Sequence, residues 1–181
     1  MKGRYYVGGN SCGGVSVLIV ICGILCIALA VSLWKTRKYY KMAYYDGLTG
    51  IYNRTYFEEE FENFFREKKN FALVMIDIDN FKIVNDTLGH AKGDQILIDL
   101  ARKLEEYFEF SFRYGGDEFV VLEKDLKNLE EKLRTIQDVF SEVMFSFGIS
   151  TLQEFSTKGQ LFENADSRMY LQKKAHKTKA S

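Results

Sequence analysis

The stretch from Gly14 to Trp34 constrains this chain more than any other, because it runs for 21 residues without a charged side chain. A helix rises 1.5 Å per residue, so a helix of this length is roughly 30 Å long and matches the hydrocarbon core of a membrane. A cleavable signal peptide is the alternative, but its apolar region is shorter, and no clear small-residue cleavage site precedes the next charges. The sequence therefore predicts a retained transmembrane helix at 14–34.

The charges around this span predict its orientation. Residues 1–45 contain no acidic residue and six basic ones, two before the span and four directly after it: Lys2 and Arg4, then Lys35, Arg37, Lys38 and Lys41. The positive-inside rule places the more basic side in the cytoplasm. We therefore expect a single-pass protein of the cytoplasmic (inner) membrane. Residues 1–13 form a short extracytoplasmic N-terminus, 35–45 a basic juxtamembrane linker or short helix, and 46–181 a cytoplasmic domain.

The composition of residues 46–181 excludes two classes of function. They hold 19 basic and 25 acidic residues, a formal net charge of −6. Proteins that bind nucleic acid need a basic surface, so we expect no nucleic-acid partner. The three cysteines all lie within the first 26 residues, and the two histidines are far apart, which argues against a zinc site.

Apolar periodicity predicts the elements of the cytoplasmic domain. The predicted helices cover 55–68, 93–107, 126–143 and the stretch from Phe162 to Met169, and the predicted strands cover 71–76, 107–114, 119–122 and 144–150. After the first helix the order is β-α-β-β-α-β, which is typical of an α+β, ferredoxin-like or palm-type sheet with packed helices. In that fold the first and third strands are central antiparallel neighbours, so the end of one lies beside the beginning of the other.

Two acidic motifs lie at these strand ends. Asp77 and Asp79 end the first strand, and Asp117 and Glu118 follow the pair Gly115-Gly116 between the second and third strands. We expect the glycine pair to form a two-residue hairpin turn, because glycine adopts the positive φ that such turns need. A solvated surface turn is the alternative interpretation. The predicted topology, however, brings Asp77 beside Asp117 and Glu118.

Clustered carboxylates without soft ligands suit Mg²⁺ or Mn²⁺, ions that hold phosphates and activate a hydroxyl for attack. A helical turn at Asn80–Val84, which includes Phe81 and Lys82, could offer free backbone N–H groups to terminal phosphates. Asn85 and Asp94 are candidates for guanine contacts, although turn formation and helix capping explain them equally well. Lys173 and Lys177 are one helical turn apart, so they form either a solvated basic end or a phosphate clamp.

Several motifs in order carry a family resemblance: Asp46–Arg54, Asp77–Asp86, Gly89-His90, Gly93-Asp94, Arg113–Phe119, Ser146–Gly148, and Ala165-Asp166 with Tyr170. They resemble the successive signatures of a GGDEF domain, the bacterial diguanylate cyclase family, from Asp46 to about Lys179. The resemblance implies signalling through cyclic di-GMP, made by condensing two GTP with release of pyrophosphate. Each 3′-hydroxyl attacks the α-phosphate of the other GTP, so two domains must meet as a homodimer.

The resemblance also assigns roles by position. It implies that Asp77, Asp117 and the carbonyl of Ile78 are metal ligands, and that Glu118 is a second metal ligand or the base for the 3′-hydroxyl. Asn85 and Asp94 would contact guanine. The remaining predicted contacts to substrate phosphates belong to Phe81, Lys82, Lys173 and Lys177.

The sequence departs from the family pattern in three places. Lys177 stands where arginine is common, so that phosphate contact would lose its bidentate geometry. Glu106 and Glu109 occupy the positions of the Arg-x-x-Asp product-inhibition site, so we expect the product to be repelled there. The segment 123–143 is shorter than usual. These departures leave two alternatives open: a non-catalytic GGDEF module that binds GTP and regulates a partner, and another nucleotidyl-transfer enzyme on a palm-like fold.

Overall fold

A 33-residue helix, α1 (Cys12–Tyr44), begins the described part of the chain. The computed structural model describes residues 12–67, 70–140, 143–155 and 157–179. Within these ranges, α1 contains the one helical segment, Val17–Tyr44, that is long and apolar enough by composition to cross a membrane. The helix continues through 35–44, so most of the predicted juxtamembrane segment is helical. Of the predicted extracytoplasmic segment, residues 1–11 lie outside the described residues.

The chain divides into two units, Met1–Lys41 and Met42–Ser181. The elements of the second unit, in chain order, are β1 (Tyr52–Asn53), α2 (Arg54–Arg66), β2 (Ala72–Ile78), α3 (Phe81–Leu88), α4 (His90–Tyr107), β3 (Phe110–Arg113), β4 (Glu118–Glu123), α5 (Leu129–Val139), β5 (Phe145–Thr151) and α6 (Lys158–Lys179). The strand order in the sheet is β1-β3-β4-β2-β5. Strand β1 is parallel to β3, and the other pairs are antiparallel.

Strand β2 is central because its residues are apolar on both faces. Val74 and Ile76 face a core formed with α4 and α5, whereas Leu73 and Met75 face a second core formed with α2 and α6. All four are at most 2 % exposed. The predicted α+β fold is confirmed, as is the antiparallel pairing of the first and third predicted strands, which are β2 and β4.

The structure differs from the predicted elements in several places. The predicted strand 107–114 is shorter, because Tyr107 is the last residue of α4 and β3 covers only Phe110–Arg113. Helix α4 begins at His90 rather than at 93, and α6 extends beyond the predicted 162–169 in both directions. Strand β1 was not predicted, because two residues are too few to show a period. The predicted turn at Asn80–Val84 is the beginning of a complete helix, α3. Helix α5 is shorter than the predicted 126–143, since Leu126, Phe140 and Val143 extend its apolar pattern from outside the helix while packing on the same core.

Candidate active site

The sheet brings the two acidic motifs together. Asp77 at the end of β2 pairs directly with Glu118 at the beginning of β4. The backbone N–H of Ile78 donates to the carbonyl of Asp117 at 3.3 Å. The adjacency predicted from topology is therefore confirmed.

The hairpin before Glu118 is not the predicted two-residue turn. Strand β3 ends at Arg113 and β4 begins at Glu118, so four residues connect them. Neither Gly115 nor Gly116 has a positive φ, so the prediction from glycine conformation is wrong here. Gly115 instead lies against the Glu118 side chain: a Cβ at that position would be 2.5 Å from Glu118 Oε2, so the flexible carboxylate would have to shift. The bare backbone lets the carboxylate lie against the loop.

An ion pair holds the hairpin in place. Arg113 donates from Nη2 to the carbonyl of Gly116 at 2.7 Å and from Nη1 to Asp46 Oδ1 at 3.0 Å. Thr49 donates its N–H and its hydroxyl to the same oxygen of Asp46. Burial raises the pKa of Asp46, but these hydrogen bonds outweigh it and leave the pKa below its ordinary value. The sequence analysis did not predict this ion pair, although Asp46-x-x-Thr49 is a common local capping pattern.

The negative charge of Asp77, Asp117 and Glu118 is only partly compensated, by Lys173. Burial raises the pKa of Asp77, the charges of Asp117 and Asp79 raise it further, and Lys173 opposes the shift. The pKa of Glu118 is also raised, first by burial and then by the charges of Asp77, Asp117 and Asp166. Lys173 Nζ contacts Asp77 Oδ1. A cation would relieve the repulsion among these carboxylates.

The acidic residues do not form a complete metal site by themselves, but they suit a Mg²⁺ ion that substrate phosphates also hold. Within the described ranges, no three His, Cys, Asp or Glu side chains are gathered closely enough to hold a metal ion by themselves. Mg²⁺, however, is usually held by one or two carboxylates together with substrate phosphates rather than by an all-protein cage. Asp77, Asp117 and Glu118 therefore suit a metal that arrives with a nucleotide.

Helix α3 begins directly after this cluster. Asn80 precedes it with a left-handed φ of 56°, and its carbonyl accepts from the N–H groups of Ile83 and Val84. The N–H groups of Phe81 and Lys82 belong to the first turn, which has no acceptor within a helix. Phe81 packs against the core, and the Lys82 side chain is exposed. The geometry agrees with a phosphate site at the N–H groups of this turn.

The predicted guanine contacts lie where α3 and α4 meet. Asn85 lies so close to Gly93 that a Cβ there would be 1.9 Å from Asn85 Oδ1. Asp94 follows Gly93 and is exposed. The two polar side chains are thus on neighbouring helices, and the guanine role stays a prediction.

Helix α6 supplies residues from the other side. Lys173 reaches Asp77, whereas Lys177 is exposed. The helix also supplies His176, whose Nδ1 lies 2.7 Å from Asp79 Oδ2, and Ser146 donates to Asp79 Oδ1 at 2.8 Å. Sequence reasoning missed this contact, because 97 residues separate Asp79 from His176. The available signal was that His176 lies three residues after Lys173, on the same helix face.

The predicted loss of product inhibition concerns the last turn of α4. Glu106 is exposed there and pairs with Lys103 at 2.7 Å. This pair is local to the helix, and the repulsion of product by Glu106 and Glu109 stays a prediction.

Comparison with known proteins identifies the family. Residues 43–179 match the family described as diguanylate cyclase, GGDEF domain. The diguanylate cyclase DgcN of Escherichia coli is 31% identical over 157 residues, covering 75% of this chain and 38% of DgcN. The probable diguanylate cyclase DgcC of the same organism is 42% identical over 93 residues, covering 48% of this chain and 25% of DgcC. The chain therefore belongs to the GGDEF diguanylate cyclase family.

Solved structures agree with this assignment. Diguanylate cyclase SiaD from Pseudomonas aeruginosa, solved in complex with its activator SiaC, matches with a TM-score of 0.66 at 27% identity, over 90% of this chain and 70% of SiaD. The coiled coil and GGDEF domain of DgcB from Caulobacter crescentus, solved with c-di-GMP, has a TM-score of 0.72 at 23% identity, over 89% of this chain and 95% of that one. The chain spans a quarter to two fifths of the length of DgcC and DgcN.

Proposed function

We propose that this chain is a membrane-anchored diguanylate cyclase that condenses two GTP into cyclic di-GMP with release of pyrophosphate. The observation that carries the proposal is the pairing of Asp77 with Glu118 across two central strands, with Asp117 hydrogen-bonded to the same strand end. Burial and neighbouring acids raise the pKa of Asp77 and of Glu118, so this group of carboxylates suits a cation, and the cation in turn suits a polyphosphate. Membership in a family of diguanylate cyclases supports the same conclusion.

In this proposal Asp77, Asp117 and the Ile78 carbonyl hold Mg²⁺ or Mn²⁺, with Glu118 as a further ligand or as the base for the 3′-hydroxyl. The metal, when bound, would neutralise phosphate charge and lower the barrier to phosphoryl transfer. The protein itself contributes by holding the carboxylates in position. The paired strands fix the backbone of Asp77 and Glu118, and the absence of a side chain at Gly115 leaves room for the Glu118 carboxylate.

The substrate phosphates would bind between α3 and α6. The first-turn N–H groups of Phe81 and Lys82 would donate to the terminal phosphates. Lys173 would leave Asp77 and pair with a phosphate, because the bound cation would replace the lysine as the positive partner of Asp77. Lys177 lies one turn further along α6 and would contribute longer-range attraction.

Reaction of two GTP molecules requires two domains, so the active species is a homodimer with one GTP in each domain. The span Gly14–Trp34 would hold both copies in the cytoplasmic membrane, with their catalytic domains in the cytoplasm. Confinement to a surface raises the effective concentration of one domain near the other.

A second candidate is a GGDEF module that binds GTP without turning it over and regulates a partner. The observation that favours it is the short connection between β4 and β5, in which α5 is the one helix of the described residues. Binding of GTP without product formation by the full chain would support this alternative over the cyclase.

The base is predicted to be guanine. We expect turnover with GTP to exceed turnover with ATP by about 100-fold or more, and Asp94→Ala to reduce that ratio by about tenfold. The reason is that Asp94 can accept from the N1–H and exocyclic amine of guanine. Once the bound base shields this exposed side chain from water, a base without that donor pair leaves the carboxylate unpaired. The ratio of kcat/KM for GTP and ATP measures this.

Asp99→Ala is the matched control, since Asp99 lies on the same helix and contacts Gln95 and Arg102 instead. It should leave the ratio unchanged. Equal use of GTP and ATP by the wild type would refute the guanine assignment.

A further inference from the structure

Asp79, Ser146 and His176 form a cluster that the proposed reaction does not use. Asp79 is 6 % exposed and Ser146 is fully buried. Ser146 Oγ donates to Asp79 Oδ1 at 2.8 Å, and His176 Nδ1 lies 2.7 Å from Asp79 Oδ2. Because a carboxylate can only accept, His176 Nδ1 carries the hydrogen in this contact. A buried carboxylate needs such partners, so the contact holds His176 at the end of β2.

The cluster connects two elements that carry proposed site residues. Asp79 is two residues after Asp77 on the chain leaving β2, and His176 is three residues after Lys173 on one face of α6. Lys173 contacts Asp77, and His176 contacts Asp79. One face of α6 therefore contacts Asp77 and Asp79, two alternate residues at the end of β2.

The earlier turns of α6 are held differently. At Gly148 on β5, a Cβ would lie 2.0 Å from the carbonyl of Ala165 and 2.4 Å from the N–H nitrogen of Met169, so the helix packs directly on the strand backbone there. Lys173 and His176 lie one to two turns beyond this contact. In that part of α6, Lys173 and His176 reach the end of β2 through their side chains, and the side-chain oxygen of Gln172 accepts from the N–H of Phe147 on β5.

We propose that His176, held by Asp79 and Ser146, is a positioning residue that keeps Lys173 in place to receive the terminal phosphates of GTP. This inference rests on the proposed function. Lys173 contacts Asp77, a proposed metal ligand, so that contact must break when metal and GTP bind. The contact between His176 and Asp79 does not involve Lys173. It therefore holds the helix backbone still while the lysine side chain moves from a carboxylate to a phosphate.

Substitution of His176 should act on GTP binding more than on the chemical step. We expect His176→Ala to raise KM for GTP about tenfold while kcat changes less than about twofold, because a displaced lysine weakens the phosphate contact. His176→Asn should recover most of the affinity, since its amide nitrogen can donate where Nδ1 does. Lys174→Ala is the matched control, because Lys174 is exposed on the same helix and lies over the ring of Tyr170. It should leave KM unchanged.

A second measurement separates this inference from the proposed function. Equilibrium binding of Mg²⁺ with a GTP analogue that has a methylene bridge between the α- and β-phosphates requires no turnover. The full chain should bind it about tenfold more weakly after His176→Ala, with recovery in His176→Asn. An unchanged affinity, or a fall in kcat at constant KM, would overturn the positioning role. A wild type that binds the analogue but forms no cyclic di-GMP would refute the cyclase proposal and leave the binding comparison decisive for His176.

Discussion

Glu118→Gln is expected to reduce cyclic di-GMP formation by about 10³-fold or more while the domain stays folded. The substitution keeps the shape of the side chain and removes the charge proposed to hold the metal or accept the proton of the 3′-hydroxyl. Loss of preorganised charge stabilisation at a phosphoryl-transfer site has effects of this size. Initial rates at saturating GTP and Mg²⁺ measure the change. Asp117→Asn should have a comparable effect.

The effect on stability is expected to have the opposite sign. Burial and the neighbouring acids raise the pKa of Glu118 in the folded protein, so ionising this group at neutral pH costs folding free energy. That cost begins to fall as the pH drops through the raised pKa and is gone below the ordinary pKa of glutamate. A neutral glutamine removes the repulsion at all pH values. In EDTA, Glu118→Gln should therefore melt at the wild-type temperature or about 1–3 °C above it.

The control for both measurements is Glu123→Gln, at the opposite end of β4. It removes the same charge from the same strand without touching the acid cluster, so turnover should stay at the wild-type level. Wild-type turnover in Glu118→Gln would refute the proposed catalytic role of Glu118. A melting temperature several degrees lower would show that Glu118 has a structural role instead.

Removal of the proposed transmembrane helix should also have a large effect on specific activity. A fragment of residues 36–181 is expected to be mostly monomeric and slow, and a fused parallel coiled coil should raise its rate by about 100-fold at the same concentration. The reason is that the proposed reaction needs two domains in contact, and the fragment lacks the membrane that would concentrate them. Specific activity measured against concentration tests this. A fragment that is fully active at low nanomolar concentration would show that the span acts as an anchor only.

The proposed transmembrane helix has a face that would suit pairing with a second copy. Cys22, Cys26 and Ala30 repeat every four residues, so their small side chains lie along one helix face, and such strips let transmembrane helices approach closely. We expect Cys26→Leu to reduce activity in vesicles and Leu25→Ile, on another face, to leave it unchanged. Equal activity of the two variants would exclude this face as the contact between copies.

The neighbours of the central strand β2 were predictable, because they follow from a few physical rules. The run Phe71–Ile76 is apolar at every position, which indicates a strand covered on both faces, and a β-α-β-β-α-β order then fixes its neighbours. The position of Asp77 beside Glu118 followed from that order alone. The acid cluster could thus be derived before its geometry was known.

Contacts between distant residues could not be derived in the same way. The ion pair of Arg113 with Asp46 and the contact of His176 with Asp79 depend on how helices and loops are placed in three dimensions, and no local period encodes that. The hairpin prediction was wrong for a related reason. Gly115 was interpreted from its backbone freedom, whereas its φ is not positive and its missing side chain leaves room beside the Glu118 carboxylate.

We propose above that Asp77, Asp117 and Glu118 make this chain a cyclase of GTP. The most direct test of this proposal is mass spectrometry of the products formed by the full chain in lipid vesicles with GTP and Mg²⁺. We expect cyclic di-GMP with two pyrophosphates per molecule, and loss of both products when EDTA removes the metal. GTP that is bound but recovered unchanged would refute the cyclase proposal and support a regulatory module.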